Sequence, residues 1–168
     1  DRAWKKKAFK DPRNQIWFPG ESPSYGIGQG ALSANALQLA VMTARLANGR
    51  KALNPRLIKS IGGVETPSGA AAADLPFKPE HMEMVRSAMA AVANDTTGTA
   101  YRASQLGLGP VLMAGKTGTA QVRDNSRAER ASGVRTNESL PWRLRDHALF
   151  VAFAPYDAPR YALSMIVQ

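Results

Sequence analysis

Three runs in the last third of the chain, residues 112–122, 147–154 (HALFVAFA) and 160–167 (RYALSMIV), read as β-strands. The last two are separated only by the turn PYDAP, which suits an antiparallel hairpin. The periodicity before them is helical. Asn35 is placed to cap a helix, Gln38 follows three residues later as its capping-box partner, and Gly49 ends the run. Between them ALQLAVMTARLAN is apolar on most faces, which predicts a helix buried along most of its surface. A second helix opens at Pro79, a favoured first-turn residue, with Glu80 and Glu83 near its positive end. Met82, Val85, Met89 and Val92 follow the helical period and predict one apolar stripe. Helices followed by antiparallel strands define an α+β fold, with helices packed on a sheet.

The connecting stretches are turn-rich. Residues 1–34 read as irregular, because Pro12, Pro19 and Pro23 and Gly20, Gly26, Gly28 and Gly30 interrupt any long element. Gly26-x-Gly28-x-Gly30 lacks the dinucleotide spacing, since position 31 is Ala31, and no strand precedes it. SIGGVETPSGAAAADLPF reads as a surface hairpin or loop, and residues 123–141 as a long, charged, exposed connection. At 168 residues with 44% hydrophobic side chains the chain can build one core. It begins DRAWKKKAFK without Met and stops on the last strand at Gln168, so residues 1–168 are expected to be part of one domain, incomplete at both ends. No run of about 18 apolar residues is present, so any membrane anchor is expected outside these residues.

A net charge of +9 favours anionic partners. The cations are dispersed, however, with one run at Lys5, Lys6 and Lys7 and no aromatic residues interleaved as a base-stacking platform, so no nucleic-acid partner is expected. With no cysteine and only His81 and His147, no metal site or other cofactor is expected.

AGKTGTAQV, residues 114–122, sets one cation among small and hydroxylated residues. Gly-Lys-Thr serves two chemistries. A phosphate loop requires a glycine at position 110, where the chain has Pro110, and a helix after the lysine, where it has TAQVRDNSRAER. An acyl-transfer wall requires an edge strand facing a cleft, with small residues letting substrate backbone lie alongside; Ala114, Gly115, Gly118 and Ala120 would give that clearance. On a strand Lys116, Gly118 and Ala120 point one way and Thr117, Thr119 and Gln121 the other, so a shared cleft calls for a twist or bulge, which Gly118 would permit.

K-T-G is the third signature of the penicillin-binding protein and serine β-lactamase group. GIGQG before a helix, GTA at 98–100, AGKTGTAQ, and RLRDHALFVAFAPYDAP before a last strand occur here in order. Together they resemble the C-terminal part of the transpeptidase domain of the class B penicillin-binding proteins of bacterial cell elongation. The resemblance implies a partial transpeptidase fold and a peptidoglycan D,D-transpeptidase at the inner membrane, its catalytic domain in the periplasm. Such enzymes cross-link stem peptides through an acyl-enzyme, are blocked by β-lactams and work with membrane proteins of the elongation complex. Lys116 resembles the catalytic cleft lysine. Thr117 and Thr119 resemble the hydroxyls that bind the substrate carboxylate, the Thr119 N–H resembles an oxyanion-hole donor, and Gly118 resembles the residue kept small for substrate.

No serine is followed by lysine three residues later, so the S-x-x-K nucleophile and base are not among these residues. Ser33-Ala34-Asn35 has the letters of S-x-N but follows GIGQG where the family's motif precedes it, and reads instead as the start of a helix. The fragment alone is therefore expected to be inactive. A non-catalytic peptide-binding module, or a β-lactamase or D,D-carboxypeptidase on the same fold, remains an alternative.

Overall fold

A computed structural model describes residues 1–66, 72–123 and 126–168. The chain forms two compact units, Asp1–Ala34 and Asn35–Gln168.

The first unit corrects the irregular reading of residues 1–34. It holds three short helices, α1 (Arg2–Ala8), α2 (Pro12–Gln15) and α3 (Glu21–Gly26). The prolines and glycines do limit length: Pro12 and Pro23 lie in the first turns of α2 and α3, Gly26 ends α3, and Pro19, Gly20, Gly28 and Gly30 fall outside the helices. Asp1 caps α1 through the Trp4 N–H, and Asp11 caps α2 through the Arg13 N–H with Pro12 in its first turn. Lys5, one of the three-lysine run, is turned inward and is only 4% exposed. Its ammonium donates to the Ile16 carbonyl at 2.6 Å and to the Glu21 carboxylate. That partner holds the Glu21 carboxyl below the usual carboxylate range.

The second unit begins with α4 (Ala36–Asn48). Asn35 accepts from the Gln38 N–H while the Gln38 side chain accepts from the Asn35 N–H, and Gly49 closes the helix in the left-handed conformation at φ 69°. A small hairpin follows, β1 (Ser60–Ile61) and β2 (Val64–Glu65), turned by Gly62 and Gly63. The rest of the predicted surface stretch includes residues 67–71, which lie outside the described residues. After α5 (Pro79–Asn94) come β3 (Ala114–Ala120), a short α6 (Arg127–Ser132), β4 (His147–Ala154) and β5 (Tyr161–Val167). The last three strands form one antiparallel sheet in the order β3-β4-β5, which places β3 at an edge.

The core sits where α4 and α5 cover one face of this sheet. Ala47, Met89, Ala114 and Phe153 are buried together, with Leu46, Ala90, Val151, Tyr156 and Ala162 packed around them. Two helical expectations need correction. In α4 only Thr43 and Ala47 are buried, because the sheet meets one side of the helix. Leu37, Val41 and Met42 line an open apolar groove on another side, with Phe77 and Met82. In α5 the buried positions are Met82, Met89 and Ala93, while Val85 is exposed. At about 100° per residue the inward arc centres on positions 82, 86, 89 and 93, and Val85 falls on its margin.

The centre of that arc is Arg86, a cation. Its guanidinium donates to the Ala47 carbonyl at 2.5 Å and the Tyr156 carbonyl at 3.1 Å, and lies 5.7 Å from the Phe153 ring centroid. One side chain thereby joins α4, α5 and the turn after β4. The predicted exposed connection at 123–141 is also more ordered than its composition implied. Ser126 and Glu129 form a capping box on α6, and Leu140 is buried. Residues 124 and 125 lie outside the described residues.

Candidate active site on the β3 edge

Lys116, Thr117, Gly118 and Thr119 all lie on β3. The pairing with β4 runs without interruption from Ala114 opposite Phe153 to Ala120 opposite His147. No bulge occurs at Gly118, contrary to the device the alternation called for. Lys116, Gly118 and Ala120 share the face of the buried Ala114, and Thr117 and Thr119 share the other.

The backbone shows how both faces serve one place. A Cβ added at Gly115 would lie 3.0 Å from the Val151 carbonyl oxygen, so that oxygen points at β3, toward Lys116, its opposite residue. In an antiparallel ladder the N–H and C=O of alternate residues point to the partner strand and to the open side. Lys116 and Gly118 therefore bond toward β4, while Thr117 and Thr119 direct their backbone groups to the unpaired edge. The lysine ammonium agrees with this parity, since it donates to the Thr117 carbonyl at 2.8 Å. The open edge thus gathers a cation, two hydroxyl residues and the Thr119 N–H, without a bulge.

The small residues of the block divide into two kinds. Ala114 and Gly115 are buried against their own chain, and a Cβ on Gly115 would come within 2.7 Å of the Phe150 ring. Their smallness serves internal packing, which corrects the clearance expected of them. A Cβ on Gly118 would meet only Leu149 at an ordinary 3.5 Å, so nothing among the described residues requires glycine there. Asp146 anchors the end of the strand by accepting from the Val122 N–H at 3.1 Å, and His147 opens β4 as a framework residue.

Reasoning on residue types passed over Thr99. Its hydroxyl lies 3.1 Å from that of Thr117. The GTA block was visible, but nothing in it shows that a helix end would carry it to β3. Asn94 makes that link, donating to the Ala90 carbonyl at 2.7 Å in its own helix and to the Met113 carbonyl at 2.8 Å just before β3.

An α+β core whose edge strand carries K-T-G is the arrangement that the resemblance implies, and sequence comparison gives the family. The family described as penicillin binding protein transpeptidase domain matches residues 6–168, and the chain belongs to that family. It is 33% identical over 181 residues to peptidoglycan D,D-transpeptidase MrdA of Escherichia coli K12, covering 99% of this chain and 25% of that protein. It is 38% identical over 160 residues to MrdA of Acinetobacter baumannii, covering 92% and 22%. The chain thus spans about a quarter of the length of these relatives. Among solved structures, Pseudomonas aeruginosa PBP2 in complex with WCK 5153 superposes with a TM-score of 0.73 at 36% identity, over 100% of this chain and 31% of that one. A complex of PBP2 and MreC from Helicobacter pylori gives 0.69 at 27% identity, over 100% and 26%.

Proposed function

We propose that this chain forms the third-motif wall of a peptidoglycan D,D-transpeptidase, a penicillin-binding protein that cross-links stem peptides through an acyl-enzyme at the periplasmic side of the bacterial inner membrane. The observation that supports this most is the β3 edge, where the Lys116 ammonium and the outward Thr119 N–H share one open side. A substrate carbonyl placed there would meet the Thr119 N–H as its negative charge develops, and losing one such donor typically costs about 3 kcal/mol of transition-state stabilisation. The substrate carboxylate would be received by the Thr117 and Thr119 hydroxyls under the field of Lys116. Gly118 leaves room for substrate backbone to add to the edge as a further strand.

The attacking serine and its lysine base are supplied by an S-x-x-K segment beyond these 168 residues. β-Lactams enter as mimics of the stem peptide. The MreC complex of the Helicobacter pylori relative supports an elongation-complex partner for the whole protein. The test is to label a protein joining this segment to its S-x-x-K half with fluorescent penicillin and locate the adduct by peptide mass spectrometry. A stable adduct on the S-x-x-K serine is expected. Rapid turnover of the lactam would favour the β-lactamase alternative, and no adduct at all would favour the peptide-binding module.

A further inference from the structure

We infer that Thr99 is a positioning residue: it fixes the direction in which the Thr117 hydroxyl points its proton, and so tunes the site's hold on an anionic substrate end. The inference rests on the transpeptidase reading above. Two hydroxyls 3.1 Å apart can share one hydrogen bond in either direction. If Thr117 donates to Thr99, its only proton is spent and it offers a carboxylate nothing but lone pairs. If Thr99 donates to Thr117, the Thr117 proton is free for the carboxylate, and the accepted bond polarises that hydroxyl toward stronger donation. An anion at the edge therefore selects the second direction, and Thr99 supplies the acceptance that makes it favourable.

The segment bearing Thr99 is built to hold that position. The Asp95 N–H donates to the Ala91 carbonyl at the end of α5, and the Asp95 carboxylate accepts from both the N–H and the hydroxyl of Thr97, at 2.8 and 2.7 Å. Those bonds hold the Asp95 carboxyl below its ordinary range. Gly98 donates to the Asp95 carbonyl and lies so close to α5 that a Cβ would come within 2.3 Å of the Val92 carbonyl oxygen. Ala100 is buried and donates to that same carbonyl at 3.2 Å. Thr99 stands between two residues pinned to the helix end, so its hydroxyl is presented to Thr117 by a fixed backbone. An Asx-type turn followed by a sterically required glycine gives that rigidity without burying the threonine.

The test compares acylation of the S-x-x-K-containing protein by a penicillin and by its methyl ester, separating half-saturating concentration from limiting acylation rate. Thr99→Val keeps the shape and removes the hydroxyl. It is expected to raise the half-saturating concentration for the carboxylate form roughly five- to tenfold, as for a lost hydrogen bond between neutral groups, and to change the ester by less than about twofold. Thr99→Ser should restore the wild-type preference. Thr117→Val should abolish the preference, with no further loss when Thr99→Val is added. Equal effects on the two substrates, or no effect on either, would overturn the inference while leaving the transpeptidase reading intact. If Thr99→Val does not fold, Thr99→Ala in the same two arms decides the matter. A wild-type protein that forms no adduct with either compound would overturn the transpeptidase reading, and the inference with it.

Discussion

The guanidinium of Arg86 lies 5.5 Å from the ring centroid of Tyr156 and donates to that residue's carbonyl, 70 positions away in sequence. The Tyr156 hydroxyl in turn donates to Glu83 at 2.9 Å, one turn before Arg86 on α5. This closed set of contacts locks the helix that carries the Asp95–Ala100 segment to the sheet that carries β3. Arg86→Met keeps apolar bulk but leaves the Ala47 and Tyr156 carbonyls without their donor. A loss of about 2–4 kcal/mol is expected, read as a lower urea midpoint. An unchanged midpoint would show that Arg86 is a bystander.

The two glycines of the K-T-G region should separate stability from activity. Gly115→Ala forces a methyl against the Phe150 ring and the Val151 carbonyl, and overpacking of this kind costs about 1–3 kcal/mol. Gly118→Ala meets only ordinary contact and should cost less than about 0.5 kcal/mol. Its effect should fall on acylation by penicillin, since the methyl would occupy the space where substrate backbone is proposed to lie. Melting curves and acylation rates of both variants check this, and the reverse pattern would contradict the assignment of the two glycines.

Glu129 gives a pH dependence with a definite sign. Its carboxylate accepts the Ser126 N–H and, at 2.9 Å, the Arg123 guanidinium; donation by the Ser126 backbone and hydroxyl, then by Arg123, holds its pKa at about 2 against an ordinary 4.5. A depressed carboxyl stabilises the folded form above its unfolded pKa. That contribution is therefore present above 4.5 and is lost as pH falls toward about 2. Carboxyl NMR of Glu129 should show a midpoint near the lower value, and the stability gap between wild type and Glu129→Gln should close across that window. A midpoint near the ordinary value would contradict the capping geometry.

The sequence was most informative where the physics is local. Asn35 and Gln38 announced the capping box of α4, and the strand runs matched β4 and β5 to within one residue because apolar runs and turns are short-range signals. Burial was less legible, since it depends on what lies opposite. The apolar run of α4 does not say that one side of it rests on the sheet while Leu37 and Met42 face a groove. Nothing local marks Arg86 as a clamp between elements, because its carbonyl partners are 39 and 70 residues distant. In the candidate site, K-T-G was readable as a block and its alternation was right. The bulge was unnecessary because an edge strand offers its backbone and both flanking faces to the same open side. Thr99 was invisible in that role, since its hydroxyl partner is 18 residues away across a helix end.

Isolated residues 1–168 should form no stable adduct with fluorescent penicillin on a denaturing gel, because none of their serines stands in S-x-x-K, the motif proposed to supply the attacking hydroxyl. Stoichiometric labelling would mean that one of their own serines is the nucleophile.

If the β3 edge is an acyl-transfer wall, Lys116→Ala should slow acylation without unfolding the protein. In a protein joining this segment to its S-x-x-K half, intact-mass spectrometry gives the second-order rate of penicillin acylation for wild type and variant. A folded variant with an unchanged melting curve is expected, because Lys116 is exposed on the strand edge, with acylation slowed at least roughly hundredfold, as when a charge that stabilises the reacting centre is removed. Acylation of Lys116→Ala at the wild-type rate would contradict the assignment of the β3 edge as the acyl-transfer wall.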